Sequence, residues 1–150
     1  MKGEFTLIAH ISQSTVQTRQ AVEVQSFVDQ LRNRHMRAVN AGDVDGAVSL
    51  FAPDAVFLPP GQPALEGAAI RGWFAYVFAN FDLEGFVVRP GAVERHGDVS
   101  IEHGSWKATF QPKNGSPDRA AGGTYITVYR HLEDGAVRII RDTFNDAPPA

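Results

Sequence analysis

The apolar residues of this chain change their period once, near Leu83, and that change restricts the fold more than any other feature of the sequence. Before it they recur at three- and four-residue steps, which places side chains on one face of a helix. After it they recur at every second position, the spacing of strands with one buried face. Helices first and strands afterwards predict an α+β domain in which three N-terminal helices cover one face of a curved, mainly antiparallel sheet.

Val24, Phe27, Val28, Leu31, His35, Ala38 and Val39 form the stripe of the first predicted helix, and Gly42 suits a left-handed cap at its end. Asp43 caps a second, short helix whose Val44, Ala47, Val48 and Phe51 face inward, closed by Pro53 and Asp54. Residues 55–58 read as a short strand, and the three prolines of 59–63 as a loop. A third helix over 68–80 presents Ile70, Trp73, Phe74, Val77 and Phe78 on one face. Residues 86–95, 99–110, 124–132 and 137–145 are four strands rich in Val, Ile, Tyr, Thr and Phe. The turn residues of 96–98, 112–123 and 133–135 separate them into a meander. Residues 1–22, rich in Ser, Thr and Gln without an apolar period, read as a flexible arm or an added strand; 23–147 form the domain and 148–150 a tail.

With 150 residues the chain has the size of one domain with one core. Its net charge is −3 and its 14 Lys and Arg are scattered singly, so no basic stripe exists to neutralise phosphates and nucleic acid is excluded as a partner. The absence of cysteine removes thiolate chemistry and disulfides. No apolar run reaches the ~20 residues of a membrane helix and the first residues lack a secretory pattern, which predicts a cytoplasmic protein without a membrane partner.

The run from Ala41 to Ala47, then Leu50 to Val56, Pro59-Pro60-Gly61 and Leu65-Glu66-Gly67, resembles the first half of SnoaL-like proteins of the NTF2-like superfamily. Gly122 to Arg130 and Arg138 to Asn145 resemble the second half, so that the likeness covers about 24–147 and is nearest to the YybH-like (DUF4440) branch. The resemblance implies a cone whose mouth lies between helices and sheet, no cofactor, and a homodimer formed through the outer face of the sheet. The group is similar to steroid isomerases, polyketide cyclases, epoxide hydrolases, dehydratases and non-catalytic association domains alike, so fold and activity separate here. The positions that carry a Tyr, a sheet acid and the proton-shuttling base in the isomerases correspond to His35, Thr127 and Pro59. Without the base, the isomerase mechanism is not expected.

Strand alternation, with its register taken from the resemblance, points Tyr125, Thr127, Tyr129, Glu102, Gly104, Trp106 and Ala108 inward. On the last strand Asp142 and Phe144 share one face and Arg141, Thr143 and Asn145 the other; an acid at this position in related sequences favours Asp142 inward. His35 and Asp142 are the candidate acid–base pair, orienting one another and exchanging a proton with a carbonyl, hydroxyl or epoxide oxygen. Phe57, Trp73, Glu102, Trp106, Tyr125, Thr127 and Phe144 are the candidate substrate-binding residues, although each aromatic also suits plain core packing and Glu102 an exposed strand end. The dispersed histidines offer no metal-ligand spacing. Two functions follow: a cofactor-independent isomerase, cyclase, dehydratase or hydrolase acting on a small hydrophobic oxygenated molecule, or a non-catalytic ligand-binding or homo-oligomeric association module.

Overall fold

The computed structural model describes residues 2–147, with side chains from residue 15 onward apart from 20, 21 and 23–26. The elements run α1 (Lys2–Ala41), α2 (Val44–Val48), β1 (Phe51–Leu58), β2 (Leu65–Glu66), α3 (Ala68–Asn80), β3 (Phe81–His96), β4 (Val99–Pro112), β5 (Arg119–His131) and β6 (Val137–Phe144). The sheet has six strands in the order β2-β1-β6-β5-β4-β3. Only the β1–β6 pair is parallel, because β1 enters from the helical half and lies beside the last strand. The sheet is therefore mixed and curved, and the helices pack on its concave face, giving the expected α+β architecture.

The first helix ends as its sequence requires. Gly42 takes a φ of +63°, and the amides of Gly42 and Asp43 bond the carbonyls of Val39 and Ala38, closing the last turn with a left-handed residue. Asp43 Oδ1 then accepts from the Gly46 amide at 2.9 Å and caps α2. Val28, Leu31, Ala38 and Val39 of α1 are buried with Ile70, Phe74, Val77 and Phe78 of α3 against Phe57, Tyr129 and Ile139 of the sheet. Phe27 departs from the predicted stripe and is 41% exposed, while the Val24 side chain lies outside the described residues.

Several boundaries differ from the sequence expectation, those of the sheet for long-range reasons. Residues 2–22 continue α1 rather than adding a strand, and the described side chains of 15–19 and 22 are exposed. Phe51 opens β1 instead of closing α2, since Ile139 of β6 stands opposite it, and Pro53 falls where that pairing shifts register. The short strand β2, just beyond the proline loop and not expected from the sequence, pairs Leu65 with Phe57. β5 begins at Arg119 within the stretch expected to be a turn. Ala121 and Ala108 pack against Trp106, so small residues that look like a turn are the strand under a large ring. β3 tolerates Pro90 because it is an edge strand whose ladder also shifts there. The tail expected at 148–150 lies outside the described residues. Among the described residues, no helix is long and apolar enough to cross a membrane.

Candidate active site

Between the helices and the concave face lies a cavity of about 100 Å³. Rings form most of its wall: Phe57 stacks on Phe74 with centroids 5.8 Å apart, Trp73 meets Phe57 edge-on at 4.9 Å, and Trp106 meets Phe144 edge-on at 5.4 Å. His35, Phe57, Trp73, Trp106, Tyr125, Thr127, Asp142 and Phe144 of the sequence candidates all line it. Glu102 does not; it lies behind the wall with no exposed surface, and is no strand-end carboxylate.

A row of paired residues crosses three strands of the floor: Glu102 stands opposite Thr127, and Thr127 opposite Asp142. The face of β6 that alternation left open is decided by a bulge. Tyr129 pairs with Ile139 and Val128 with Arg141, which leaves Ile140 as an extra residue and changes the phase, so that Ile139, Asp142 and Phe144 all face the cavity.

At one end of the row Glu102 is fully answered. Arg32 Nε donates to its Oε1 at 3.0 Å and Arg32 Nη2 to its Oε2, while the Tyr125 and Tyr129 hydroxyls donate to Oε1 at 2.6 and 3.4 Å. Arg32 Nη1 reaches outward to Asp29 at 2.6 Å. Burial works against the Arg32 charge, but its hydrogen bonds to Glu102 and Asp29 prevail and raise its pKa. Burial and the Glu102 carboxylate raise both tyrosines, which stay protonated. Gly104 makes room for this arrangement, since a Cβ there would strike the Arg89 carbonyl and come within 2.8 Å of the Tyr125 ring. Sequence reasoning missed Arg32, although its position four residues after Val28 and three before His35 sets it on the buried stripe of α1.

At the other end Asp142 has one neutral partner, the Thr127 hydroxyl, which donates to Oδ1 at 2.8 Å. Burial pushes the Asp142 carboxyl up to about 7, against the Thr127 bond and aided by the charge of Glu102. Burial likewise pulls His35 down to about 4, so its imidazole is neutral at pH 7. Both residues are half-buried and line the cavity. His35 Nδ1 is buried without any hydrogen-bond partner, and its ring is held edge-on by Phe74 and Phe86 at 6.4 and 5.5 Å. The structure thus brings His35 and Asp142 to one cavity without a hydrogen bond between them; packing and Thr127 orient them instead. The polar tip of Trp106 is occupied by the Asn145 carbonyl at 2.9 Å.

Helices on a curved mixed sheet with a ring-lined cavity between them define the NTF2-like class of fold. The model of the SnoaL-like domain matches residues 33–141, and the chain belongs to that family. Similar solved structures include a ketosteroid isomerase-like protein from Erwinia carotovora atroseptica SCRI1043, at 17% identity and a TM-score of 0.75 over 83% of this chain and 96% of that one. A proposed aromatic ring hydroxylase from Novosphingobium aromaticivorans is similar at 26% identity, with a TM-score of 0.70 over 85% of this chain and 92% of that one. A proposed dehydratase of the NTF2-like family from Streptomyces avermitilis is similar at 18% identity, with a TM-score of 0.67 over 83% and 96%. No curated protein matches the sequence.

Proposed function

We propose that the chain is an enzyme that moves a proton on a small hydrophobic oxygenated molecule, with Asp142 as acid and base and His35 as the partner of the substrate oxygen. One observation carries the reading: a carboxyl with a single neutral partner and a neutral imidazole with none face the same ring-lined cavity. A carboxyl titrating near 7 is present in both protonation states at neutral pH, which suits it to take a proton from carbon or oxygen and return it. Neutral His35 bonds the oxygen on which charge develops, in a site where few waters compete. The reading needs no cofactor. Isomerisation, cyclisation, dehydration and hydrolysis all share this proton step.

The test is exchange and turnover of small cyclic ketones, enones and epoxides followed by proton NMR in deuterated buffer. Wild-type protein is expected to accelerate exchange or conversion of at least one, with a pH dependence set near 7, and Asp142→Asn to reduce the rate about 100-fold or more. Equal rates in the two proteins sink the proposal. The small cavity favours a second reading, a non-catalytic ligand holder, for which saturable binding without turnover is the signature. In either reading the chain pairs with a second copy through the outer sheet face, where Ile101 and Ile126 are 39% and 49% exposed. Sedimentation of Ile126→Lys as a monomer against a wild-type dimer tests that pairing.

A further inference from the structure

Resting on the acid–base reading of Asp142 and His35, we propose that the cavity selects an uncharged molecule of at most one ring, bearing a hydroxyl or carbonyl oxygen, and rejects anions and fused rings. The first argument concerns charge. Arg32 is the one Lys or Arg on the cavity wall among the described residues, and its guanidinium is shared between Glu102 and Asp29. Two carboxylates on one cation leave no positive charge for a ligand, and Asp142 adds a further acid. A carboxylate or phosphate that entered would be a buried ion without a counter-ion, which is strongly unfavourable.

The second argument concerns hydrogen bonds. The hydroxyl protons of Tyr125 and Tyr129 go to Glu102, that of Thr127 goes to Asp142, and the Trp106 N–H goes to a backbone carbonyl. The unanswered polar capacity of the wall is therefore concentrated at the His35 imidazole and the free oxygen of Asp142. A ligand with a single oxygen can be answered at one of these two groups; a polyol or amino acid would bury further groups with nothing to bond. The third argument is size. A dry cavity of about 150 Å³ accommodates benzene, and this one measures about 100 Å³. A single small ring therefore enters only with a slight outward shift of the wall, whereas a second fused ring requires the stacked pair of Phe57 and Phe74 to part.

The experiment is calorimetric titration of the full chain at pH 8 with phenol, cyclopent-2-enone, benzoate and 2-naphthol, with the nitrogen-15 resonances of the His35 imidazole reporting the location. Phenol and cyclopent-2-enone are expected to bind saturably and to move those resonances, and benzoate and 2-naphthol to bind at least tenfold more weakly. Benzoate or 2-naphthol binding within tenfold of phenol, or His35 resonances unmoved by all four, overturns the proposed ligand class. The catalytic reading fails separately. If the neutral rings bind as expected while Asp142→Asn leaves exchange and turnover unchanged, the ligand class stands and the proton chemistry falls.

Discussion

The Glu102 end and the Asp142 end of the cavity floor stand on β4 and β6, the two strands that flank β5, and treat a carboxylate in opposite ways. Glu102 receives a cation and two phenols and has no surface left, so its negative charge is answered inside the protein. Asp142 receives one hydroxyl and shares its cavity with a neutral imidazole that is itself without a partner. The closed cluster holds the sheet to α1, and the open one is left with chemistry to perform. The contrast shows that burial alone does not make a carboxyl reactive. The number and charge of its partners decide.

The strongest way to break this comparison is to remove the cation. Arg32→Met leaves Glu102 buried and unpaired and is expected to cost about 3–5 kcal/mol in urea unfolding, whereas the double variant with Glu102→Met recovers most of that loss. A double variant no better than Arg32→Met shows that the cluster is not a closed ion pair.

The open end makes a prediction about pH. Asp142 has a raised folded pKa, so its contribution to stability falls as pH rises from about 4 to about 7. His35 has a lowered folded pKa, so its contribution falls as pH drops from about 6.5 to about 4. In the wild type the two oppose one another over the shared range. Asp142→Asn is expected to lose stability toward acid, and His35→Phe toward neutral pH, each tilting the profile by on the order of 2 kcal/mol. Thermal unfolding at half-unit pH steps checks both signs, and parallel profiles for the two variants contradict the assignment.

Smaller changes sharpen the contrast. Tyr125→Phe withdraws one donor from Glu102 and is expected to cost about 1–2 kcal/mol with little change in the titration of Asp142. Thr127→Val, one position along the row, costs about 1 kcal/mol and instead moves the Asp142 pKa upward, read by carbon-13 NMR of its carboxyl. Equal effects of the two variants on Asp142 would merge the ends that the structure separates.

Much of the fold was legible in local signals. The Gly42 and Asp43 pair turns the chain between α1 and α2 through a left-handed residue and a side-chain cap, and both act within a few residues. The burial of Tyr125, Thr127 and Tyr129 follows from strict alternation on β5. Where alternation breaks, the sequence was silent. Asp142 faces the cavity because Ile140 is an extra residue in β6, and nothing in the order of Arg138 to Asn145 marks which residue the neighbouring strand will leave unpaired.

By itself, then, the sequence determined the α+β class, the helix ends and the aromatic character of the interior, since these rest on periodicity and on interactions a few residues long. Tertiary structure alone decided that Phe51 belongs to a strand, that Arg32 crosses to Glu102, and that His35 and Asp142 meet one cavity without touching. Each of those depends on partners 70 or more positions away on another element, and a pattern read along the chain contains no term for them.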